Sequence, residues 1–152
     1  MEELEQQVWQ RVMAPAAEVP GNIKALLLES RMLAAGYASL AKRAGETTGP
    51  LLKKLYREEL EILHSLQGIA HLQGQPISLG PLAAPREPAA RLLEKSYHRC
   101  RRAEQEYMAR SVSGEFAQVF RELSERAGQQ CCRITRLLGM LAKKSGQEIR
   151  KL

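Results

Sequence analysis

Residues 50–72 read PLLKKLYREELEILHSLQGIAHL. Leu52, Leu55, Ile62, Leu66 and Ile69 recur at alternating spacings of three and four, and Glu59 fills the one place in that series that is not apolar. This is the period of an amphipathic helix, not the alternation of a strand. Thr47-Thr48-Gly49 supplies the start, with Thr48 or Thr47 as cap, and Pro50 falls in the first turn, where its missing N–H costs nothing. A carboxylate set in the middle of an apolar stripe needs a partner, because a polar group taken out of water loses free energy unless it is hydrogen-bonded. This one helix therefore poses the question of the fold and the question of the site together.

Upstream, Pro20-Gly21-Asn22 breaks the chain and Asn22 is placed to cap a helix that runs to about Ala44 and is closed by Gly45. Its stripe is Ile23, Leu26, Ser30, Leu33, Tyr37, Leu40 and Ala44. Downstream, residues 73–88 have no helical period and hold Pro76, Pro81, Pro85 and Pro88. A third helix is expected from about Ala89 to Val112, with Leu93, Tyr97, Cys100, Glu104 and Tyr107 inward. Ser113-Gly114-Glu115 breaks it and caps a fourth, running to about Lys144, with Phe116, Phe120, Leu123, Ala127, Gln130, Ile134, Leu137 and Leu141 inward. A short amphipathic helix over 2–13, carrying Val8, Trp9 and Val12, precedes them, and residues 143–152 form a basic tail.

Connection lengths turn this list into a topology. The first two helices are joined by about four residues and the last two by two or three, so each pair is expected to be an antiparallel hairpin. The middle connection, 73–88, reaches up to about 50 Å when extended, whereas a helix of 23 residues is about 35 Å long. It is long enough to run the whole length of a bundle. The expectation is a single all-α domain over 1–152, a four-helix bundle of two hairpins joined by a long crossover.

The bulk composition agrees. Apolar residues make up 44% of the 152 and charged residues 26%, which is globular and not disordered. Two Phe, one Trp and four Tyr are too few aromatics for a β-sandwich or barrel. The longest stretch free of Lys, Arg, Asp and Glu, from Ile62 to Pro85, contains His, Gln, Gly and Pro and cannot span a bilayer. The N-terminus is acidic where a secretory signal is basic, so a cytoplasmic location without a membrane partner is expected. There is no P-loop and no Rossmann fingerprint.

Two features invite a chemical reading. Glu61 and His64 form a Glu-x-x-His, the spacing with which di-iron bundles present ligands. Their phase, however, is shared with Arg57 and Gly68 and lies about a hundred degrees per residue off the Leu52, Leu55, Leu66 stripe, so the pair is expected to face solvent. The second feature is the set of polar residues on the stripes themselves, Ser30, Glu59, Glu104 and Gln130. Glu59 is expected to be a core carboxylate bonded to Tyr37, Tyr107, Ser30 or Gln130; a residual metal ligand or a raised-pKa acid is the sharper alternative.

Leu51-Leu52-Lys53-Lys54-Leu55-Tyr56-Arg57-Glu58-Glu59 leading to Leu66-Gln67-Gly68-Ile69 resembles the second helix of small ferritin-like, rubrerythrin-like bacterial proteins. Val8-Trp9-Gln10-Arg11-Val12, Tyr107-Met108-Ala109-Arg110-Ser111 and Val119-Phe120-Arg121-Glu122-Leu123 resemble other parts of them, so the likeness extends over nearly the whole chain. In that superfamily a ligand Glu stands seven residues before a Tyr in the first and third helices, which points to Ser30 before Tyr37 and Cys100 before Tyr107. The two Glu-x-x-His pairs fall at Glu59 with Ile62 and at Ala127 with Gln130. The resemblance thus implies a ferritin-like bundle whose metal site keeps only Glu59 and is substituted at Ser30, Ile62, Cys100, Ala127 and Gln130. No cofactor is then expected, and the chain reads as a structural or partner-binding module. Iron or manganese enters only in the alternative, an iron-binding protein or di-iron oxidoreductase using a shifted half-site of Glu29, Glu61 and His64.

Cys100, Cys131 and Cys132 lack a CxxC spacing and read as reduced thiols, with a zinc or redox site alongside His98 as the sharper alternative. Net charge runs −1, +2 and +5 over residues 1–50, 51–100 and 101–152. The basic run Arg126, Arg133, Arg136, Lys143, Lys144, Arg150 and Lys151 lacks interleaved aromatics and matches no nucleic-acid module, so it reads as a solvated helix face. Val8, Trp9 and Val12 need cover, from the chain's own bundle, a second copy in a homodimer or another protein.

Overall fold

The computed structural model describes residues 19–75 and 77–150, with side chains from 23 to 75 and from 77 to 143. The segment 2–13 read as an N-terminal helix lies outside the described residues. Four helices make up the secondary structure among them: α1 Val19–Arg43, α2 Gly49–Leu72, α3 Ala89–Arg110 and α4 Ala117–Arg150. None is long and apolar enough to cross a membrane.

The helix ends follow local chemistry more closely than residue type. α1 begins at Val19, upstream of Asn22, and carries Pro20 in its first turn, where the absent N–H has no partner to lose. Thr48 precedes α2 without a side-chain cap bond; backbone bonds from Gly49 N to Gly45 O (2.9 Å) and Leu52 N to Thr48 O (3.1 Å) hold the turn instead. α2 closes with Gln75 N on Ala70 O (2.8 Å) and Gly74 N on His71 O (3.0 Å), the paired bonds of a Schellman motif, and Gly74 has φ +74°. An L-residue with a Cβ is strained there, so Gly74→Ala is expected to cost about 1 kcal/mol in urea unfolding. A cost near zero would show that the turn opens freely. α3 stops at Arg110, short of Val112, because the Ser111 hydroxyl folds back onto Met108 O (2.6 Å). α4 begins at Ala117 and continues past Lys144 to Arg150.

α1 packs on α2 and on α3, and α3 packs on α4. α2 meets α4 through Glu58 with Arg133, Glu59 with Gln130 (3.1 Å) and Glu61 with Arg126 (3.0 Å), a descending order on α4 that makes the two antiparallel. α1 and α3 are antiparallel as well: Gly36 faces Leu92 and Ser96, while Glu29 pairs with Arg99 (3.1 Å). The segment between α2 and α3 climbs along α1. Its first part, Ile77 to Leu79, lies by Arg31 and Leu63, and its last part is bound by Ser39 Oγ on Pro85 O (3.1 Å) and by Arg43 on Glu87 O. The two hairpins and the long crossover expected from connection lengths are therefore present.

The core is one cluster drawn from all four helices. On α1, α2 and α4 the expected stripes face it, with Ala44, Phe116 and Leu141 at their ends only half-buried, the first two just outside the helices. On α3 the inward face is Leu92, Leu93, Ser96, Cys100, Ala103 and Tyr107, so Tyr97 and Glu104 stand half-buried at its edge. At the α3–α4 turn end, Tyr107 stacks on Phe120 with ring centroids 6.3 Å apart, and Arg110 lies 5.9 Å over the Phe120 ring.

Candidate functional site: a buried carboxylate network

Glu59 sits at the centre of the bundle with 2% of its surface exposed. Helical phase puts it there: it lies four residues after Leu55 and three before Ile62, both of which are also buried. Both carboxylate oxygens are occupied. Ser30 Oγ of α1 donates to Oε1 at 2.7 Å, and Gln130 Nε2 of α4 donates to Oε2 at 3.1 Å. The Gln130 carbonyl oxygen in turn accepts the Tyr37 hydroxyl at 2.9 Å, and the Cys100 thiol of α3 lies 3.8 Å from the same oxygen and 3.2 Å from Ala127 O. All four helices contribute to one chain of polar contacts. Gln130, itself fully buried, is the residue through which it passes.

Burial pushes the Glu59 carboxyl up from 4.5 to about 7, against the Ser30 and Gln130 bonds that favour the charged form, with nearby Glu58 adding to the rise. Among the described residues no cation forms an ion pair with it. The Tyr37 phenol is held well above its ordinary value, first by burial and then by Cys100 and Glu59, and Tyr107 likewise by burial and then Glu59.

The six positions singled out by sequence, Ser30, Glu59, Ile62, Cys100, Ala127 and Gln130, are all buried. Ser30, Glu59 and Gln130 meet directly, and Tyr37 joins through Gln130 while Tyr107 does not bond to Glu59. Ile62 and Ala127 bring only hydrocarbon. The groups turned toward the carboxylate are an O–H and an N–H, which are hydrogen-bond donors, whereas a metal ion requires lone pairs. One carboxylate with two neutral donors does not fit a dinuclear centre, which needs several anionic ligands. Among the described residues no three of His, Cys, Asp and Glu gather into a group that could hold a metal ion.

Glu29, Glu61 and His64 lie outside this network. Glu29 is tied to Arg99 of α3 and Glu61 to Arg126 of α4, and His64 is exposed. Glu104 bonds to Arg101 at 2.8 Å and leans over the α4 backbone, where a Cβ at Gly128 would stand 2.4 Å from its Oε2. Sequence reasoning missed Ser96 and Ser124 as buried polar residues. Ser96 satisfies itself on Leu92 O of its own helix (2.9 Å) and needs no distant partner, while Ser124 reaches across to Glu104 O of α3 (3.4 Å), a backbone acceptor that no residue pattern marks. Comparison with protein-family models, with curated proteins and with solved structures returns no match.

Proposed function

We propose that the chain is a ferritin-like bundle in which a hydrogen-bonded polar core takes the place of a dinuclear metal site, and that it serves as a non-catalytic structural or partner-binding module. One observation carries the reading: both oxygens of the single central carboxylate are bonded by the donors of Ser30 and Gln130, at positions where the resemblance would have ligands. The two hairpins and the crossover along α1 support the ferritin-like part of it. A core of this kind fixes the rotation and register of four helices relative to one another, because each donor must meet its acceptor. What remains for function is the outer surface, laced by ion pairs between helices such as Glu29 with Arg99 and Glu61 with Arg126.

The test is metal content. Protein purified from cells grown with added iron and manganese is expected to hold well under one equivalent of either metal per chain. About two tightly held ions per chain would end this reading, and if His64→Ala then removed them, the half-site of Glu29, Glu61 and His64 would take its place.

A further inference from the structure

The three cysteines are not equivalent. Cys100 on α3 is 1% exposed and Cys131 on α4 is 5% exposed, while the adjacent Cys132 is exposed. Cys100 Sγ lies 3.2 Å from Ala127 O. In an α-helix that carbonyl accepts the N–H of the residue four positions on, which is Cys131, and helical side chains lean back over the preceding turn. The Cys131 side chain therefore comes down on the turn against which Cys100 rests, and each thiol shifts the proton affinity of the other. The nearest core residues on either side, Ala103 on α3 and Ala127 on α4, are no larger than a methyl group, which lets the helices approach. A disulfide needs Cβ atoms about 3.8 Å apart, a separation that such small neighbours permit.

We propose that Cys100 and Cys131 are a redox pair that a small hydroperoxide converts into a disulfide across the α3–α4 interface. The two thiols have distinct roles. The neighbouring Cys100 thiol holds the Cys131 thiol below its ordinary value and Arg101 acts in the same sense, against burial and Glu104. The neighbouring Cys131 thiol, followed by burial, raises Cys100. Of the two thiols Cys131 is therefore the readier to ionise, and it is the less deeply buried, within the electrostatic reach of Arg101 and Glu104. In the first step Cys131 sulfur attacks the terminal peroxide oxygen: an S–O bond forms, the O–O bond breaks, and the leaving hydroxide or alkoxide takes the thiol proton to become water or an alcohol. In the second, Cys100 sulfur attacks the resulting sulfenic acid: the S–S bond forms, the S–O bond breaks, and the released hydroxide leaves as water with the Cys100 proton. Two thiols are oxidised and one peroxide is reduced. Closing the bond withdraws the Cys100 thiol from Ala127 O and from Gln130 Oε1, so oxidation is transmitted to the central network.

The experiment uses the full chain carrying Cys132→Ser, a substitution at an exposed position. After hydrogen peroxide treatment the intact mass is expected to fall by two hydrogen atoms. Trypsin should then release residues 100–101 joined to residues 127–133, a link that a thiol reductant reverses. The side-chain amide resonances of Gln130 should shift with the same time course. Cys100→Ser with Cys132→Ser leaves Cys131 without its resolving partner and is expected to gain one oxygen instead. If the Cys132→Ser protein gains oxygen without losing two hydrogens, keeps both thiols titratable in denaturant, or forms a covalent dimer in place of the internal link, the proposal is overturned.

Discussion

Gln130→Ala is expected to lower the unfolding free energy by about 3–5 kcal/mol, read from urea denaturation followed by helical circular dichroism. The size comes from what the substitution leaves behind more than from what it removes. Gln130 is fully buried and makes two bonds of opposite polarity, donating to Glu59 and accepting from Tyr37. Without the amide, one carboxylate oxygen and one phenol hydroxyl lose their partners in the middle of the core. Each unsatisfied group costs about 1–3 kcal/mol, more where charge is involved, and the cavity adds to this. Removing the whole network should behave differently. The triple variant Ser30→Ala, Glu59→Leu, Gln130→Leu leaves no polar group between α1, α2 and α4 unpartnered except the Tyr37 hydroxyl, and is expected to be far nearer to wild type than Gln130→Ala alone. A loss below about 1 kcal/mol for Gln130→Ala would mean that water enters the bundle and replaces the amide.

The stripe that places Glu59 and Gln130 inward is legible in the sequence because helical period alone determines which residues share a face. Their being bonded to each other is not. It depends on the rotation and axial offset of α2 against α4, which the sequence leaves open until ion pairs such as Glu58 with Arg133 and Glu61 with Arg126 are seen. α3 shows where period is ambiguous. Leu93, Cys100 and Tyr107 are compatible with Tyr97 and Glu104 inward or with Ser96 and Ala103 inward. The second choice is adopted because Ser96 satisfies its own hydroxyl on Leu92 O and fits against Gly36, where a Cβ would meet its Oγ at 3.2 Å. Glu104 inward would have been a second buried carboxylate. At the edge it reaches Arg101 instead. The adjacent cysteines follow the same logic: Cys131 lies four residues after Ala127 and three before Ile134, both in the core, and Cys132 is turned a further hundred degrees, to the outside.

The stability of the protein relative to its Glu59→Gln variant is expected to fall by about 3 kcal/mol as pH rises from about 4.5 to about 7, and to change little above that. The sign follows from the direction of the shift. The folded protein holds the Glu59 proton up to about 7, whereas the unfolded chain releases it near 4.5, so the folded state binds more protons in between. The stabilisation is complete below the unfolded value and is lost as the folded carboxyl ionises. Comparison with Glu59→Gln removes the opposing effect of the surface carboxylates, which lose their ion pairs as pH falls. The neutral acid also needs an acceptor for its own O–H, and Gln130 can supply one by turning its amide so that Oε1 faces Glu59 and Nε2 faces the Tyr37 oxygen. Tyr37, which lies beside Cys100, can then turn its proton to that sulfur. An amide is the side chain that suits both states, since leucine offers nothing and a second glutamate would add charge. The Gln130 amide resonances should therefore titrate with the midpoint of Glu59, near 7, and fall silent in Glu59→Gln. A flat pH profile relative to that variant would mean that Glu59 stays ionised in the core, held by its two donors alone.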